Sequence, residues 1–152
     1  MDDRAERTLT LTRLIAAPVA KVWRAWSDPA LLPKWYGPAG YSCTTSSIDL
    51  RAGGHWIFDM IGPDGKVWPN RHRYTLWAPA ARIEFLMDDG IDGEPAAEVV
   101  VSMVAEGQGT RLIQLMTFPE AAMKQQAEAF GALELGQTTL AKLEAMAASL
   151  PG

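Results

Sequence analysis

The sequence predicts an antiparallel α+β fold, a sheet of six or seven strands with one long C-terminal helix laid across it. Three observations lead there. From Tyr41 to Phe118 the chain reads as short strands separated by the turn signals "AGG", "GPDGK", "APA", "DDGIDGEP" and "EGQG". After Pro119 it becomes roughly 30 helix-favouring residues rich in Ala, Leu, Glu, Gln and Lys. Strands and helices are therefore segregated along the chain, which implies antiparallel pairing with the last helix covering one apolar face.

The first strand is "RTLTLTRLIAA", where apolar and polar residues alternate. Pro18 opens a short helix, "PVAKVWRAW", at a position that tolerates proline. In "SDPALLPKWYGP" Asp28 can cap and Pro29 can start a second short helix. In "GPDGK" Pro63 and Asp64 suit the centre of a type I turn and Gly65 the left-handed position after it. Closing that hairpin from Gly62 to Lys66 pairs Met60 with Trp68, Phe58 with Asn70 and Trp56 with His72.

One face then carries Trp56, Phe58, Met60, Trp68, Asn70, His72 and Tyr74, and the other His55, Ile57, Asp59, Pro69, Arg71 and Arg73. A slip of one residue would bury both arginines, so the register is well specified. A two-residue turn at Gly107-Gln108 pairs Met103 with Leu112, Val101 with Gln114 and Val99 with Met116. In "RIEFLMD" the alternation turns Ile83, Phe85 and Met87 inward. The concave side is thus Trp, Phe, Met and Val with Asn70, His72, Tyr74 and Gln114 set among them, and buried polar groups need partners.

The final segment holds two glycines, Gly131 and Gly136, each costing about 1 kcal/mol inside a helix. Read as one uninterrupted helix at about 100° per residue, Met123, Phe130, Glu134, Gln137 and Ala141 share one face. Glu134 and Gln137 would then look into the sheet, with Gly131 and Gly136 admitting nearby backbone. A packed interior does not accept an unpaired carboxylate. The expectation is a partly open, water-accessible cavity.

The 152 residues fit one domain, 1–152, with an ordinary globular composition. A net charge of -4 argues against nucleic acid or an anionic membrane as partner. No apolar run reaches the ~20 residues of a membrane span, and the polar "MDDRAERTLT" is no signal peptide. The single Cys43 excludes an internal disulfide and fits a cytoplasmic protein. It reads as a packed or edge thiol, with no basic cluster beside it to activate it. His55 and His72 project from opposite faces of one hairpin, and no ligand-spacing motif accompanies them, so neither a metal nor a cofactor is expected. "AGGH" reads as a bend and "NRHR" as a solvated strand face.

The stretches "APVAKVWRAWSDPALLPKWYGP" (17–38), "DLRAGGHWIFDMIGPDGKVWPNR" (49–71), "GTRL" (109–112) and "FGALELGQTTLAKLEAM" (130–146) resemble the homologues of the Hsp90 ATPase activator. That family belongs to the START-like, helix-grip superfamily, often labelled polyketide cyclase/dehydrase and lipid transport, whose fold is also Bet v 1-like. The resemblance implies a curved antiparallel sheet wrapped around a C-terminal helix, two short helices after the first strand, and a hydrophobic cavity between sheet and helix. It also marks a departure: after "PNR", where relatives carry a small residue, this chain has His72.

The leading expectation is a domain that binds a small hydrophobic, ring-containing molecule in that cavity. The expected wall is Trp35, Trp56, Phe58, Met60, Asn70, His72, Tyr74, Met87, Met116, Phe130 and Glu134. Aromatics and Met supply shape-tolerant contact, and Asn70, Tyr74 and Glu134 orient the ligand by hydrogen bonds. A second reading is an enzyme of cyclase or hydrolase type, with His72 as general base partnered by Tyr74 or Glu134. The plainer account of His72 is a half-buried ring satisfied by Tyr74, Asn70 or water. A third reading is a chaperone ATPase-activating interaction domain acting through its outer surface; a homodimer is left open.

Overall fold

The strands are β1 (Thr8–Ile15), β2 (Ser42–Asp49), β3 (His55–Ile61), β4 (Val67–Ala78), β5 (Arg82–Asp88), β6 (Ala97–Glu106) and β7 (Gly109–Thr117). In this computed structural model, which describes residues 4–93 and 95–151, they form one 7-stranded sheet ordered β1-β7-β6-β5-β4-β3-β2. Every neighbouring pair is antiparallel. Glu94 of the "DDGIDGEP" turn, the first three residues of the polar N-terminus and the last residue of the predicted domain lie outside the described residues.

Both hairpin registers read from turn chemistry are present. Met60 faces Trp68, Phe58 faces Asn70 and Trp56 faces His72, and Gly65 takes φ +84° at the left-handed position. Across the second hairpin Met103 faces Leu112, Val101 faces Gln114 and Val99 faces Met116. Shifts in pairing between Thr45 and Ser47 and between Tyr74 and Leu76 mark bulges, which bend strands and re-aim side chains. After the second shift Trp77 stands opposite Ile83. It packs on Trp23 of α2 (Val19–Ser27), with ring centroids 5.3 Å apart.

A short helix not foreseen, α1 (Arg4–Arg7), precedes β1. Pro18 is the extended residue just before α2, at φ -63°. The next helix, α3 (Leu32–Trp35), starts later than Pro29, with a proline in its own first turn. Asp28 caps the turn before it, its carboxylate accepting from the Ala30 N–H at 2.8 Å.

The predicted single C-terminal helix is two. Gly131 takes φ +94°, a left-handed conformation that ends α4 (Ala121–Phe130) and begins α5 (Ala132–Ser149). Gly136 serves a different need: a Cβ there would stand 2.5 Å from Leu11 Cδ1, so its absence lets α5 lie close against β1. Polar contacts fix that position. Arg13 Nη2 donates to Glu144 Oε1 at 3.0 Å and the Ala16 N–H to Glu144 Oε2 at 2.6 Å. Gln137 Nε2 donates to the Thr12 carbonyl at 3.2 Å, so this side chain seals the sheet edge and does not enter the concavity. α4, by contrast, buries none of its residues.

A candidate ligand cavity between the sheet and the C-terminal helices

The core is dense on one side of the concavity. Trp56 and Phe58 stack with ring centroids 3.7 Å apart. Trp26 meets Trp35 edge-on at 4.8 Å, and the Trp35 indole donates to the Ala25 carbonyl at 2.9 Å. Tyr36 follows Trp35 directly and lays its ring against Trp56, Phe58 and His72 at 5.2–5.9 Å. Aromatic packing of this kind fills the space over Trp56, Phe58 and His72.

On the other side the packing stops. A cavity of about 530 Å³ lies between the sheet and the two C-terminal helices. Leu9 and Leu11 of β1, Gln114 and Met116 of β7 and Met87 of β5 form its floor. Trp35, Tyr36, Gly37 and Pro38 close one side. Leu135, Gly136, Thr139 and Leu140 of α5 form the roof. Met60, Trp68 and Phe130 stand both here and around an outer recess of about 250 Å³, which Tyr41 and Asn70 also border. Phe130 is 66% exposed, as a side chain at the mouth would be. A volume of this size, mostly apolar and concave, suits a small organic molecule.

Among the described residues no wall residue of the cavity carries a charge. Gln114 is 9% exposed, and its carboxamide, like the Tyr36 hydroxyl on the same wall, makes no hydrogen bond among the described residues. Lys142, just behind the wall, donates to the Gly37 carbonyl at 3.0 Å and to those of Pro38 and Tyr41 at 3.4 Å. Burial lowers its pKa, with Cys43 pulling the other way. The Cys43 thiol donates to the Tyr36 carbonyl at 3.3 Å, and burial pushes it up to about 11 against the opposing pull of Lys142. It is a packed thiol. Burial also raises the Tyr36 and Tyr74 hydroxyls, so both stay protonated at neutral pH.

The expected wall residues divide into three groups. Trp35, Met60, Met87, Met116 and Phe130 line the cavity, and Asn70 lines the outer recess with its amide donating to the Trp68 carbonyl at 2.9 Å. Trp56, Phe58, His72 and Tyr74 do face inward, but into packed core behind the wall. Glu134 is exposed at the start of α5 and lines neither space. The left-handed Gly131 explains this: helical phase counted from Phe130 does not continue through it.

The His72–Glu134 acid–base pair is therefore not formed. His72 is 1% exposed and ringed by Tyr36, Trp56, Phe58, Tyr74 and Phe85. Neither of its ring nitrogens has a hydrogen-bond partner among the described residues, so the satisfied, half-buried ring expected from the sequence is also corrected. Burial lowers its pKa to about 3, with a smaller opposing pull from Asp88, so the ring is neutral. A base needs reach to substrate, and this one is walled off from the cavity.

Sequence reasoning did not name Tyr36, Leu9, Leu11 or Leu135 for the wall, and it put Gln114 on the inner face without assigning it a role. The hairpin register was the available signal for Gln114; "KWYGP" holds none that separates Tyr36 from ordinary core.

A larger surface groove of about 860 Å³ runs between residues 14–19 and the 105–109 hairpin turn. Its one charged side chain among the described residues, Glu106, is tied to Arg111 at 2.8 Å. Among the described residues no helix is long and apolar enough to cross a membrane. No group of acidic, His and Cys residues there could hold a metal.

Comparison with known proteins agrees with this architecture. A crystallised protein of Nitrosomonas europaea is 28% identical, with a TM-score of 0.84 and 96% of each chain covered. One of Mycobacterium smegmatis is also 28% identical, with a TM-score of 0.83, covering 98% of this chain and 96% of that one. An AHSA1-like protein of Aeromonas hydrophila, 24% identical over 95% of this chain and 97% of its own, shares the fold at a TM-score of 0.71. No curated protein matches. The family described as "Activator of Hsp90 ATPase homolog 1-like protein" matches residues 16–148, nearly the whole helix-grip unit, and the chain belongs to that family.

Proposed function

We propose that this protein binds a small, hydrophobic, ring-containing molecule in the cavity between its sheet and its C-terminal helices. One observation carries the reading: a space of about 530 Å³ with uncharged, mainly apolar walls lies beside a tightly packed aromatic core. A core packed for stability alone leaves few voids larger than a water molecule. Met60, Met87 and Met116 give the wall polarizable surfaces that adapt to irregular shapes, and Trp35 and Trp68 give it flat ones. Membership in a family of START-like fold, which often binds hydrophobic ligands, supports the same reading.

The test is titration with the neutral fluorescent probe N-phenyl-1-naphthylamine, following energy transfer from tryptophan. Saturable binding is expected, weakened by Met116→Trp, which fills the floor. A linear, non-saturating response that Met116→Trp does not change would count against the cavity as a binding site.

A further inference from the structure

The wall says what kind of molecule it accepts. Gln114 sits in the middle of β7, opposite Leu11 on one side and Val101 on the other. It is more than nine-tenths buried, yet its carboxamide has no partner among the described residues. The side chain lines the cavity, so its carboxamide offers a donor and an acceptor side by side to whatever enters. A ligand group with the complementary pair satisfies both at once.

Charge is excluded by what lies around it. Of the charged side chains that hold the wall segments in place, Lys142 is engaged by three carbonyls, and Arg13 and Glu144 by each other. A ligand carboxylate or ammonium would lose its hydration and meet no counter-ion. We propose that Gln114 makes this cavity selective for uncharged polycyclic molecules bearing an adjacent donor and acceptor, of the cyclic-amide (lactam) type. Plain hydrocarbons and carboxylates of the same size are disfavoured. The inference rests on the ligand-binding reading above and assigns its specificity to one side chain.

The experiment compares three-ring molecules of matched shape, phenanthridinone (a lactam), phenanthrene and phenanthrene carboxylate, by tryptophan quenching with the full chain. Phenanthridinone is expected to bind at least about 10-fold tighter than phenanthrene, the factor that two modest hydrogen bonds supply, and the carboxylate weakest of all. Gln114→Leu should remove the lactam's advantage while phenanthrene binds as well or better. Gln114→Met, closer in shape, should do the same and covers the case in which the leucine variant misfolds. Equal binding of lactam and hydrocarbon, or an advantage that survives both substitutions, overturns the role of Gln114 and leaves the cavity reading standing. Tightest binding by the carboxylate overturns the exclusion of charge. No binding by any of the three overturns both readings.

Discussion

His72 stacks on Phe85, with ring centroids 4.2 Å apart and planes 23° from parallel, and among the described residues no polar group satisfies either imidazole nitrogen. The histidine is thus packed as though it were an apolar ring. Because burial lowers its pKa from 6.5 to about 3, it stays neutral in the native state where the unfolded chain takes up a proton. Its contribution to stability is whole above pH 6.5 and is lost as pH falls from 6.5 toward 3, by at most about 1.4 kcal/mol per pH unit.

His72→Phe is expected to flatten that dependence. Urea midpoints at pH 7 and pH 5 should differ clearly in the native chain and little in the variant. The comparison stays above the range in which Glu144 and Asp88 add their own acid loss, beginning near their ordinary values of 4.5 and 3.8. A variant that loses as much stability between the two pH values as the native chain would refute the assignment.

Glu144 joins α5 to the end of β1. Its carboxyl lies below the usual carboxylate range because the Ala16 N–H donates to it, and Arg13 adds to the effect against the cost of burial. Glu144→Gln keeps the shape but gives up the charge, and should cost about 1–3 kcal/mol in urea unfolding at pH 7, with a smaller deficit below pH 4. An unchanged midpoint at pH 7 would mean that α5 is held by packing alone.

The two glycines of the C-terminal segment should fail differently. Gly131→Ala forces a Cβ into a left-handed backbone at φ +94° and should cost about 1–2 kcal/mol. Gly136→Ala pushes a methyl group against Leu11, which must give way toward the cavity; the ~1 kcal/mol that Ala gains over Gly in a helix offsets part of the clash, so probe binding should weaken more than stability. Thermal melts and probe titrations of both variants check this. Loss of probe binding in neither would separate helix placement from the cavity.

Wall and core should also separate by substitution. Phe130→Ala removes a mostly exposed side chain at the mouth and is expected to weaken probe binding while costing under about 1 kcal/mol of stability. Trp56→Ala, deep in the packed side, should cost about 3–5 kcal/mol. Equal destabilisation by the two would contradict this division of the concavity.

The strand half of the molecule was legible because its signals are local. Pro63, Asp64 and Gly65 admit one tight turn, and that turn dictates every pair from Ile61–Val67 to His55–Arg73. Alternation then settled which side chains face inward, including Gln114 and His72. Alternation cannot say whether the space they face is filled. That depends on Tyr36, which follows α3, packs onto Trp56, Phe58 and His72, and leaves a hollow floored by β1, β5 and β7.

The helix half was misread for an equally specific reason. Counting 100° per residue is valid only while the backbone stays helical, and Gly131 breaks it. Glu134 consequently faces outward, and Leu135, Gly136 and Thr139 take the place it was expected to hold. The amino-acid sequence by itself determined the segregation of strands from helices, the hairpin registers and the apolar character of the inner face, because turn geometry and side-chain alternation act between near neighbours. Only the tertiary structure decided where the hollow lies and which polar group is left unpaired in it, because that depends on how far α5 approaches β1 and on the angle the chain takes after one left-handed residue.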